Sequence, residues 1–344
     1  MGVFLWSVLK TEKVGKVELD VDDIVINEEL KEKLTATSGD GAESVSAMKG
    51  YRNIALFGVD SREGALTKNT RSDTIMIASI NMDTGECRLV SVYRDTFLNL
   101  SNDSYNKCNA AYAKGGPKQA INMLNMNLDL NVTDFITVGF EGLRETIDAL
   151  GGVEINVKES EIIHLNNYQI SMVGKSSDGE HFTANEGSDY IPVKSAGLQT
   201  LNGLQATAYC RIRYVGSDFE RTQRQRDVLL ACLDKAKKAS PAKLSEIATK
   251  VFEKTYTSLD LEDIIEVLGN ISKYEVVGET GFPREDLLKT GTIGKKGSCV
   301  VPADLYENVV WLHEFMFEDP TYEPSSSVKA YSDKIRSETS QYVK

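Results

Sequence analysis

Residues 71–96 read RSDTIMIASINMDTGECRLVSVYRDT, and this stretch predicts a β-hairpin. The runs Thr74–Ile80 and Cys87–Tyr93 are rich in apolar and β-branched residues, and the NMDTGE segment between them supplies the Asn, Asp and Gly that tight turns favour. Closing the hairpin would bring the charged residues at its start next to those at its finish. Four charged side chains would then gather at one open end: Arg71, Asp73, Arg94 and Asp95.

The flanking segments extend the hairpin into a larger fold. Ile54–Val59 is a short apolar run, typical of a strand that is buried on both faces. Residues 132–157, VTDFITVGFEGLRETIDALGGVEINV, predict a strand, a helix, a stop at Gly151–Gly152 and a second strand, as in a βαβ-like unit. The predicted fold class is therefore α/β, in the mixed α+β sense.

The chain has 344 residues, enough for two average domains or one large one. We expect a short helix and a flexible linker within residues 1–50, and the main domain at residues 51–240. A polar excursion at 158–200 is long enough to be functional or mobile. Residues 241–319 predict a helical continuation of the main domain, and residues 320–344 a loosely ordered tail.

Composition narrows the classes of function. The chain carries 39 Lys+Arg against 51 Asp+Glu, a net charge of −12, and this balance argues against general affinity for nucleic acid or anionic membranes. Its five cysteines are widely spaced without a CxxC pair, which indicates buried thiols rather than disulfides or a metal–thiolate site. The three histidines lie far apart, so acid–base chemistry would fall to carboxylates.

The N-terminus, MGVFLWSVLKTEK, contains an apolar run at Val3–Leu9. The run is shorter than the roughly 20 residues that span a bilayer. It also lacks the positive flank and cleavage site of a signal peptide. Two interpretations remain open: a frayed terminus, or the outer end of a membrane-spanning helix.

An arginine cluster occupies residues 211–226, RIRYVGSDFERTQRQR, with five arginines and only two acidic residues. Arg221 and Arg224 would lie in the first turns of a helix, where each cation opposes the helix dipole at a cost of about 0.3–1 kcal/mol. Their position makes sense if a phosphate or carboxylate binds at the helix N-terminus. The alternative is a solvated helix with ion pairs to Glu220 and Asp227.

Two further arginines precede that helix. Asn202 predicts the cap of a short helix that gives way to an extended segment near Tyr209. If the segment is extended, Arg211 and Arg213 share one face about 6–7 Å apart.

Two aspartates are candidate metal ligands. Asp60 follows the buried strand Ile54–Val59, and Asp73 begins the hairpin. They could share one Mg²⁺, which takes one or two carboxylates and completes its shell with water and substrate phosphates. The alternative roles are a turn cap and a salt-bridge partner.

The ordered motifs of residues 51–240 together resemble the LytR–CpsA–Psr domain. They are NIALFGVDSR, RSDTIMIASIN, LVSVYRDT, YNKCNAAYAKGG, ALGGVEINV, LNGLQATAYCRIR and SDFERTQRQ. The resemblance implies a central mixed β-sheet flanked by helices, on the outer face of a Gram-positive membrane. It also implies a single N-terminal helix as anchor, so residues 1–50 become a membrane-proximal remnant.

The activity that the resemblance implies is an Mg²⁺-dependent phosphotransfer. A phosphoglycan, such as a teichoic acid or a capsular polymer, moves from a polyprenyl-pyrophosphate carrier to a peptidoglycan hydroxyl, and polyprenyl phosphate leaves. A pyrophosphatase side activity could accompany the transfer. The implied partners are the lipid-linked donor and the peptidoglycan acceptor, with no nucleic acid.

The resemblance also assigns roles to individual residues. Asp60 and Asp73 match the metal-associated pair, and together with Arg94 they form the catalytic set. Six residues match positions that surround the pyrophosphate: Arg71, Arg94, Arg211, Arg213, Arg221 and Gln225. The chain departs from the family pattern at four places: Tyr93 for the usual proline, Cys108 and Cys210 for aliphatic residues, and Ser217–Asp218 for glycine-aspartate.

Catalysis of such a transfer is mostly positioning and neutralisation of charge. The general base is left open among Asp60, Asp73 and Asp95. The rival function is a non-catalytic receptor or regulatory attenuator that binds anionic lipid-linked glycans. The carboxylates discriminate between the two, because pure anion binding gains nothing from acidic groups unless a metal is present.

Overall fold

The computed structural model describes most of the chain. The described residues are 15–17, 19, 21–35, 46–60, 66–67, 70–176, 178 and 180–343. The apolar run at Val3–Leu9 and most of the predicted linker lie outside them. Within the described ranges, no helix is both long and apolar enough to cross a membrane.

The helices and strands alternate irregularly along the chain. The strands are β1 Gly15–Lys16, β2 Tyr51–Val59, β3 Ser72–Asn81, β4 Glu86–Val92, β5 Phe97–Asn99, β6 Tyr105–Lys107, β7 Asp134–Gly139, β8 Val153–Val157, β9 Gly197–Leu201, β10 Thr255–Thr257, β11 Glu275–Phe282, β12 Leu288–Thr292 and β13 Ser298–Pro302. The helices are α1 Glu28–Thr35, α2 Asn109–Leu128, α3 Phe140–Ala149, α4 Glu159–Val173, α5 Gly203–Cys210, α6 Asp218–Lys237, α7 Pro241–Glu253, α8 Leu261–Gly269, α9 Leu305–Phe317 and α10 Ser326–Thr339.

The chain divides into two compact units, and the division differs from the predicted domain boundaries. The sheet unit comprises residues 15–138, 256–260 and 273–344. The helical unit comprises, among the described residues, 139–255 and 261–272. Each unit has its own hydrophobic core.

The sheet unit is built on a seven-stranded mixed sheet of order β1-β10-β7-β2-β3-β4-β11. The predicted hairpin is confirmed as β3 and β4, which pair antiparallel with Ile77 opposite Val90. The side chain of Asn81 accepts hydrogen bonds from the backbone N–H groups of Asp83 and Thr84, at 3.0 and 3.1 Å, and this closes the turn. The predicted buried strand is β2, which lies between β7 and β3.

Helix α2 packs against strand β3 of the sheet. It kinks at Gly115–Gly116, whose backbone angles are not helical, and Pro117 restarts the helix after the kink. Gly116 has φ +66°, and a Cβ there would lie 2.5 Å from the carbonyl oxygen of Thr67. The kink therefore requires glycine. Helices α9 and α10 pack beside α2. The mixed sheet with helices packed beside it confirms the predicted α/β fold class.

The prediction of a loosely ordered tail at 320–344 is wrong. Residues 326–339 form α10, whose Val328 and Ile335 are buried in the core of the sheet unit. Seven positions apart, these two side chains lie on one helix face, so burial of that face stabilises the helix. The side chain of Ser325 caps α10 by accepting the N–H of Val328 at 3.3 Å.

A buried carboxylate joins the N-terminal part of this unit to α10. Asp129 is fully buried and accepts hydrogen bonds from the backbone N–H and hydroxyl of Ser325, at 2.6 and 2.8 Å, and from the side-chain amide of Asn27. Close by, Glu29 of α1 accepts the N–H of Ser326 at 3.1 Å. The start of α10 is thus hydrogen-bonded to the α1 region.

The predicted strand–helix–strand order at 132–157 is confirmed as β7 of the sheet unit followed by α3 and β8 of the helical unit, with a stop at Gly151–Gly152, both at positive φ. The βαβ-like interpretation is wrong in one respect. Strand β8 pairs antiparallel with β9 in a separate two-stranded sheet and does not join the sheet that contains β7. The polar excursion at 158–200 contains helix α4, which the sequence analysis did not predict.

The cysteines behave as predicted from their spacing. All five are free thiols, and four of them are buried. Burial raises the pKa of Cys210 to about 12 and that of Cys87 to about 11, which keeps both protonated at neutral pH.

Candidate functional site

The open end of the β3–β4 hairpin carries a chain of ion pairs. Asp73 accepts a hydrogen bond from Nη1 of Arg94 at 2.8 Å, as the hairpin geometry predicted. Arg94 Nε lies 3.9 Å from Asp95 Oδ2, and Nζ of Lys107 lies 3.2 Å from Asp95 Oδ1. All four side chains are mostly buried, so the charges interact more strongly than they would on an open surface.

The backbone after β4 is held by Cys108. Its N–H donates to the carbonyl of Thr96 at 2.8 Å, and its thiol lies 3.2 Å from the carbonyl oxygen of Tyr93 and 3.3 Å from that of Arg94. The N–H of Asn109 donates to the carbonyl of Arg94 at 3.1 Å. These bonds fix the backbone that orients the Arg94 side chain, which gives Cys108 a positioning role.

Tyr93, where the family often has proline, is accommodated by a glycine on the neighbouring strand β11. A Cβ on Gly281 would lie 2.0 Å from the Tyr93 hydroxyl oxygen and 2.4 Å from ring carbon Cζ. The ring therefore packs directly over the Gly281 backbone, and the N–H of Tyr93 donates to the carbonyl of Phe282 at 3.0 Å. The unusual residue thus fits without displacing the adjacent Arg94.

Asp60 and Arg71 lie at the same end of the sheet. Val59, the last residue of β2, pairs with Ser72, the first of β3, so the residues that flank this pair are neighbours along the sheet edge. Both Asp60 and Arg71 are exposed, whereas Asp73 is mostly buried. Arg62 of the same motif lies outside the described residues.

Carboxylate oxygens at this edge fit a hard divalent cation such as Mg²⁺. Asp60 and Asp73 supply such oxygens from adjacent strands β2 and β3. Among the residues described, no group of three or more His, Cys, Asp or Glu side chains forms a metal cage. Mg²⁺ commonly binds through only one or two carboxylates, with the remainder of its shell from water and phosphate. The donor set is therefore compatible with the predicted metal.

The arginines of the helical unit begin where α5 ends. Asn202 caps this helix, as predicted, and the structure adds a capping box with Gln205; the helix runs on to Cys210. The prediction of an extended segment near Tyr209 is wrong, because Arg211 has helical backbone angles as the C-cap residue. The shared strand face proposed for Arg211 and Arg213 is therefore absent.

Aromatic rings hold Arg211 instead. Its guanidinium carbon lies 4.4 Å from the ring centroid of Phe140 and 5.4 Å from that of Tyr168. A guanidinium between two aromatic rings gains cation–π attraction and loses few further conformations on binding a ligand. The two rings thus restrict the position of the Arg211 guanidinium.

Three of the predicted arginines come together around Tyr168. Burial raises the pKa of the Tyr168 hydroxyl, and the positive charges of Arg213, Arg211 and Arg221 act against that rise. All three guanidinium groups therefore lie within electrostatic range of one hydroxyl, although their backbones come from the end of α5, a loop and helix α6. Gln225 lies one turn after Arg221 on α6, and both side chains are buried.

The loop between α5 and α6 is braced by Arg224. Its Nε donates to Glu161 Oε1 at 2.7 Å, and the exposed fractions of the two side chains are 4% and 1%. Arg224 also donates to the carbonyls of Ile212 and Val215, at 3.3 and 2.8 Å. It therefore holds the backbone of the loop in place, and we describe it as a positioning residue for that loop.

The sequence analysis missed Glu161, Lys107 and Tyr168. Glu161 and Tyr168 lie on α4, which was interpreted as part of a loop, so neither was placed next to an arginine. Glu161 accepts the N–H of Lys158 at 2.9 Å. The signal that could have identified the helix was the pair of acidic residues in its first turn, Glu159 and Glu161.

The LytR–CpsA–Psr family model matches residues 22–296 of this chain. The chain belongs to this family. It is 28% identical over 244 residues to the polyisoprenyl-teichoic acid–peptidoglycan teichoic acid transferase TagU of Enterococcus faecalis, with 68% of this chain and 72% of that protein covered.

Two further comparisons extend this result. Biofilm regulatory protein A of Streptococcus mutans is 27% identical over 332 residues, which cover 86% of this chain and 76% of that protein. The fold also matches a structure of the LytR-CPS2A-psr family protein YwtF (TagT) with bound octaprenyl pyrophosphate lipid. That match has a TM-score of 0.53 at 18% identity and covers 87% of this chain and 95% of the other.

Proposed function

We propose that this protein transfers a phosphoglycan from a polyprenyl-pyrophosphate carrier to a hydroxyl of peptidoglycan, releasing polyprenyl phosphate. The named activity of the related TagU supports the reaction class, and the bound lipid in the YwtF structure supports the donor. The proposed location is the extracytoplasmic face of the cell membrane, with attachment through an N-terminal helix. If water replaced the peptidoglycan hydroxyl as the acceptor, the donor would be hydrolysed, which is the pyrophosphatase side activity.

The observation that carries the proposal is the set of arginines around Tyr168. Arg221 is buried, Arg211 is half-buried against two aromatic rings, and Arg213 is exposed. A diphosphate gains more from positive charge that is partly shielded from water than from charge on an open surface. Guanidinium forks also match pairs of phosphate oxygens better than ammonium groups do. In this proposal these three arginines hold the diphosphate, and Gln225 orients one of its oxygens.

The residues of the sheet edge are assigned to the reacting phosphate. Arg94 would neutralise charge that develops on the phosphate oxygens during transfer, and Arg71 would add a second cation. Asp60 and Asp73 would hold Mg²⁺, which when bound supplies a further positive charge to the phosphates. Asp95 is engaged by both Lys107 and Arg94, so we assign it to positioning Arg94 rather than to accepting the acceptor's proton.

The first test is the Arg94→Ala variant. Transfer of polymer from a lipid-linked donor should fall roughly 10²–10³-fold, because one donor to the developing charge is lost. The matched control is Arg52→Ala, which removes an arginine–aspartate pair of 3.0 Å with Asp134 on the same sheet. If Arg94→Ala turns over at the rate of the control, the assignment of Arg94 is refuted.

A second candidate function is a regulatory receptor that binds lipid-linked glycans without transferring them. The name of the Streptococcus mutans relative favours it. Asp73→Asn separates the two functions, since it keeps the shape of the side chain while removing its charge. Loss of transfer with unchanged donor affinity supports the enzyme; no measurable transfer by the wild type, with intact donor binding, supports the receptor.

A further inference from the structure

One aromatic side chain beside the arginine cluster is exposed without an evident structural reason. Tyr214 follows Arg213 directly, and its side chain is 78% exposed to solvent. One face of its ring stacks on His164, with centroids 5.7 Å apart and planes at 29°. The rest of the ring faces solvent. A tyrosine ring held by a second ring offers a flat apolar face for stacking and a polar edge that stays hydrated.

Both rings of this stack are positioned by α4 and the loop that follows α5. Glu161, His164 and Tyr168 lie three and seven positions apart on α4, so they share one helix face. Glu161 holds Arg224, which in turn holds the carbonyl of Val215, the residue after Tyr214. The exposed ring therefore sits on a braced backbone rather than on a free loop, which reduces the entropy lost when a ligand stacks on it.

The Tyr214–His164 stack adjoins the proposed diphosphate site. Tyr214 follows Arg213 in the chain, and its partner His164 lies one turn before Tyr168 on α4. The Tyr168 ring in turn lies 5.4 Å from the guanidinium carbon of Arg211. A group bound on the Tyr214 ring is thus next to any anion held by these arginines.

We propose that the Tyr214–His164 stack is a saccharide subsite that receives the sugar attached to the diphosphate of the donor. This inference rests on the proposed function. A sugar ring presents an apolar face of C–H groups that stacks on an aromatic ring, and hydroxyls at its rim that bind water or polar side chains. A solvent-exposed tyrosine on a histidine suits that combination of an apolar face and a wet edge.

The prenyl chain of the donor is a poorer match for this stack. A long hydrocarbon gains from burial in proportion to the apolar area that is removed from water, and one exposed ring removes little. A single sugar ring, in contrast, can be covered by one aromatic side chain and remain hydrated elsewhere. The geometry therefore assigns Tyr214 to the glycan side of the diphosphate.

The test compares two soluble ligands that differ only in the sugar: geranyl pyrophosphate, and the same diphosphate esterified to N-acetylglucosamine. Calorimetry measures the Kd of each for the wild type, Tyr214→Ala, Tyr214→Phe and Arg211→Ala. Tyr214→Ala should weaken the glycosylated ligand about fivefold to tenfold, in line with the stacking energy of an aromatic pair, and leave the sugarless ligand unchanged. Tyr214→Phe should bind both as the wild type does. Tyr342→Ala removes another exposed tyrosine and serves as the matched control.

The outcomes separate this inference from the proposed function. An equal loss for both ligands in Tyr214→Ala would assign the ring to the diphosphate or the prenyl chain and overturn the saccharide subsite. Unchanged affinity for the glycosylated ligand would overturn it as well. In both cases a strong loss in Arg211→Ala would leave the diphosphate site standing. If the wild type binds neither ligand, the diphosphate site and the subsite are both refuted.

Discussion

Replacing Glu161 with glutamine should destabilise the helical unit by about 3 kcal/mol, at the lower end of the cost of removing one partner from a buried ion pair. The exposed fractions of the Arg224 and Glu161 side chains are 4% and 1%, so the remaining guanidinium would have no solvent to replace the lost carboxylate. Glutamine keeps the oxygen that accepts the N–H of Lys158, so the helix cap survives and the change isolates the charge.

Equilibrium unfolding in urea measures this effect. With a slope of about 2–3 kcal/mol per molar urea, a loss of about 3 kcal/mol moves the midpoint down by about 1 M or more. The matched control is Asp286→Asn, which removes the charge from the exposed pair with Arg284 and should leave the midpoint close to that of the wild type. If the midpoint of Glu161→Gln moves no further than that of Asp286→Asn, the reasoning that burial makes this pair structural is refuted.

Two further predictions concern the sheet unit. Gly281→Ala should lower the free energy of unfolding by about 1–3 kcal/mol through overpacking, because its Cβ would lie 2.0 Å from the Tyr93 hydroxyl oxygen. Adding Tyr93→Ala in the same chain should recover part of the loss. An unchanged melting temperature for Gly281→Ala would contradict the packing. Burial lowers the pKa of His313 from 6.5 to about 4. Between pH 4 and pH 6.5 the unfolded chain therefore binds more protons than the folded chain. The free energy of unfolding should fall as pH drops through this range, by up to about 1.4 kcal/mol per pH unit. His313→Gln should show a shallower pH dependence in urea titrations, and an identical slope would refute the assignment.

Local signals were enough to predict the elements around the sheet edge. The Asn, Asp and Gly of the turn specified the hairpin, and the hairpin in turn placed Asp73 beside Arg94, because pairing of antiparallel strands fixes which residues meet at the open end. The helix that was predicted to carry Arg221 and Arg224 in its first turns is α6, which begins with a capping box of Ser217 and Glu220. In each case, the decisive interactions join residues that are close in sequence.

The sequence analysis failed where the decisive contacts are distant in sequence. Arg211 was expected on a strand, but the residues before it continue as a helix that packs on α3 and α4. The partner of Arg224 is Glu161, which lies 63 positions earlier, and no local pattern links the two. Helix α10 was missed because its buried residues, Val328 and Ile335, are scattered among serine and charged residues that by composition resemble a disordered tail.

The hydrogen bonds that Asp129 accepts from Asn27 and Ser325 have a practical consequence for engineering this protein. Shortening the chain past Asn27 from the front, or past Ser325 from the back, would leave the same carboxylate in the core with fewer donors. Trimming at either end therefore removes hydrogen-bond donors from the same buried carboxylate, that of Asp129. Expression variants that retain both segments should remain soluble where shorter ones aggregate.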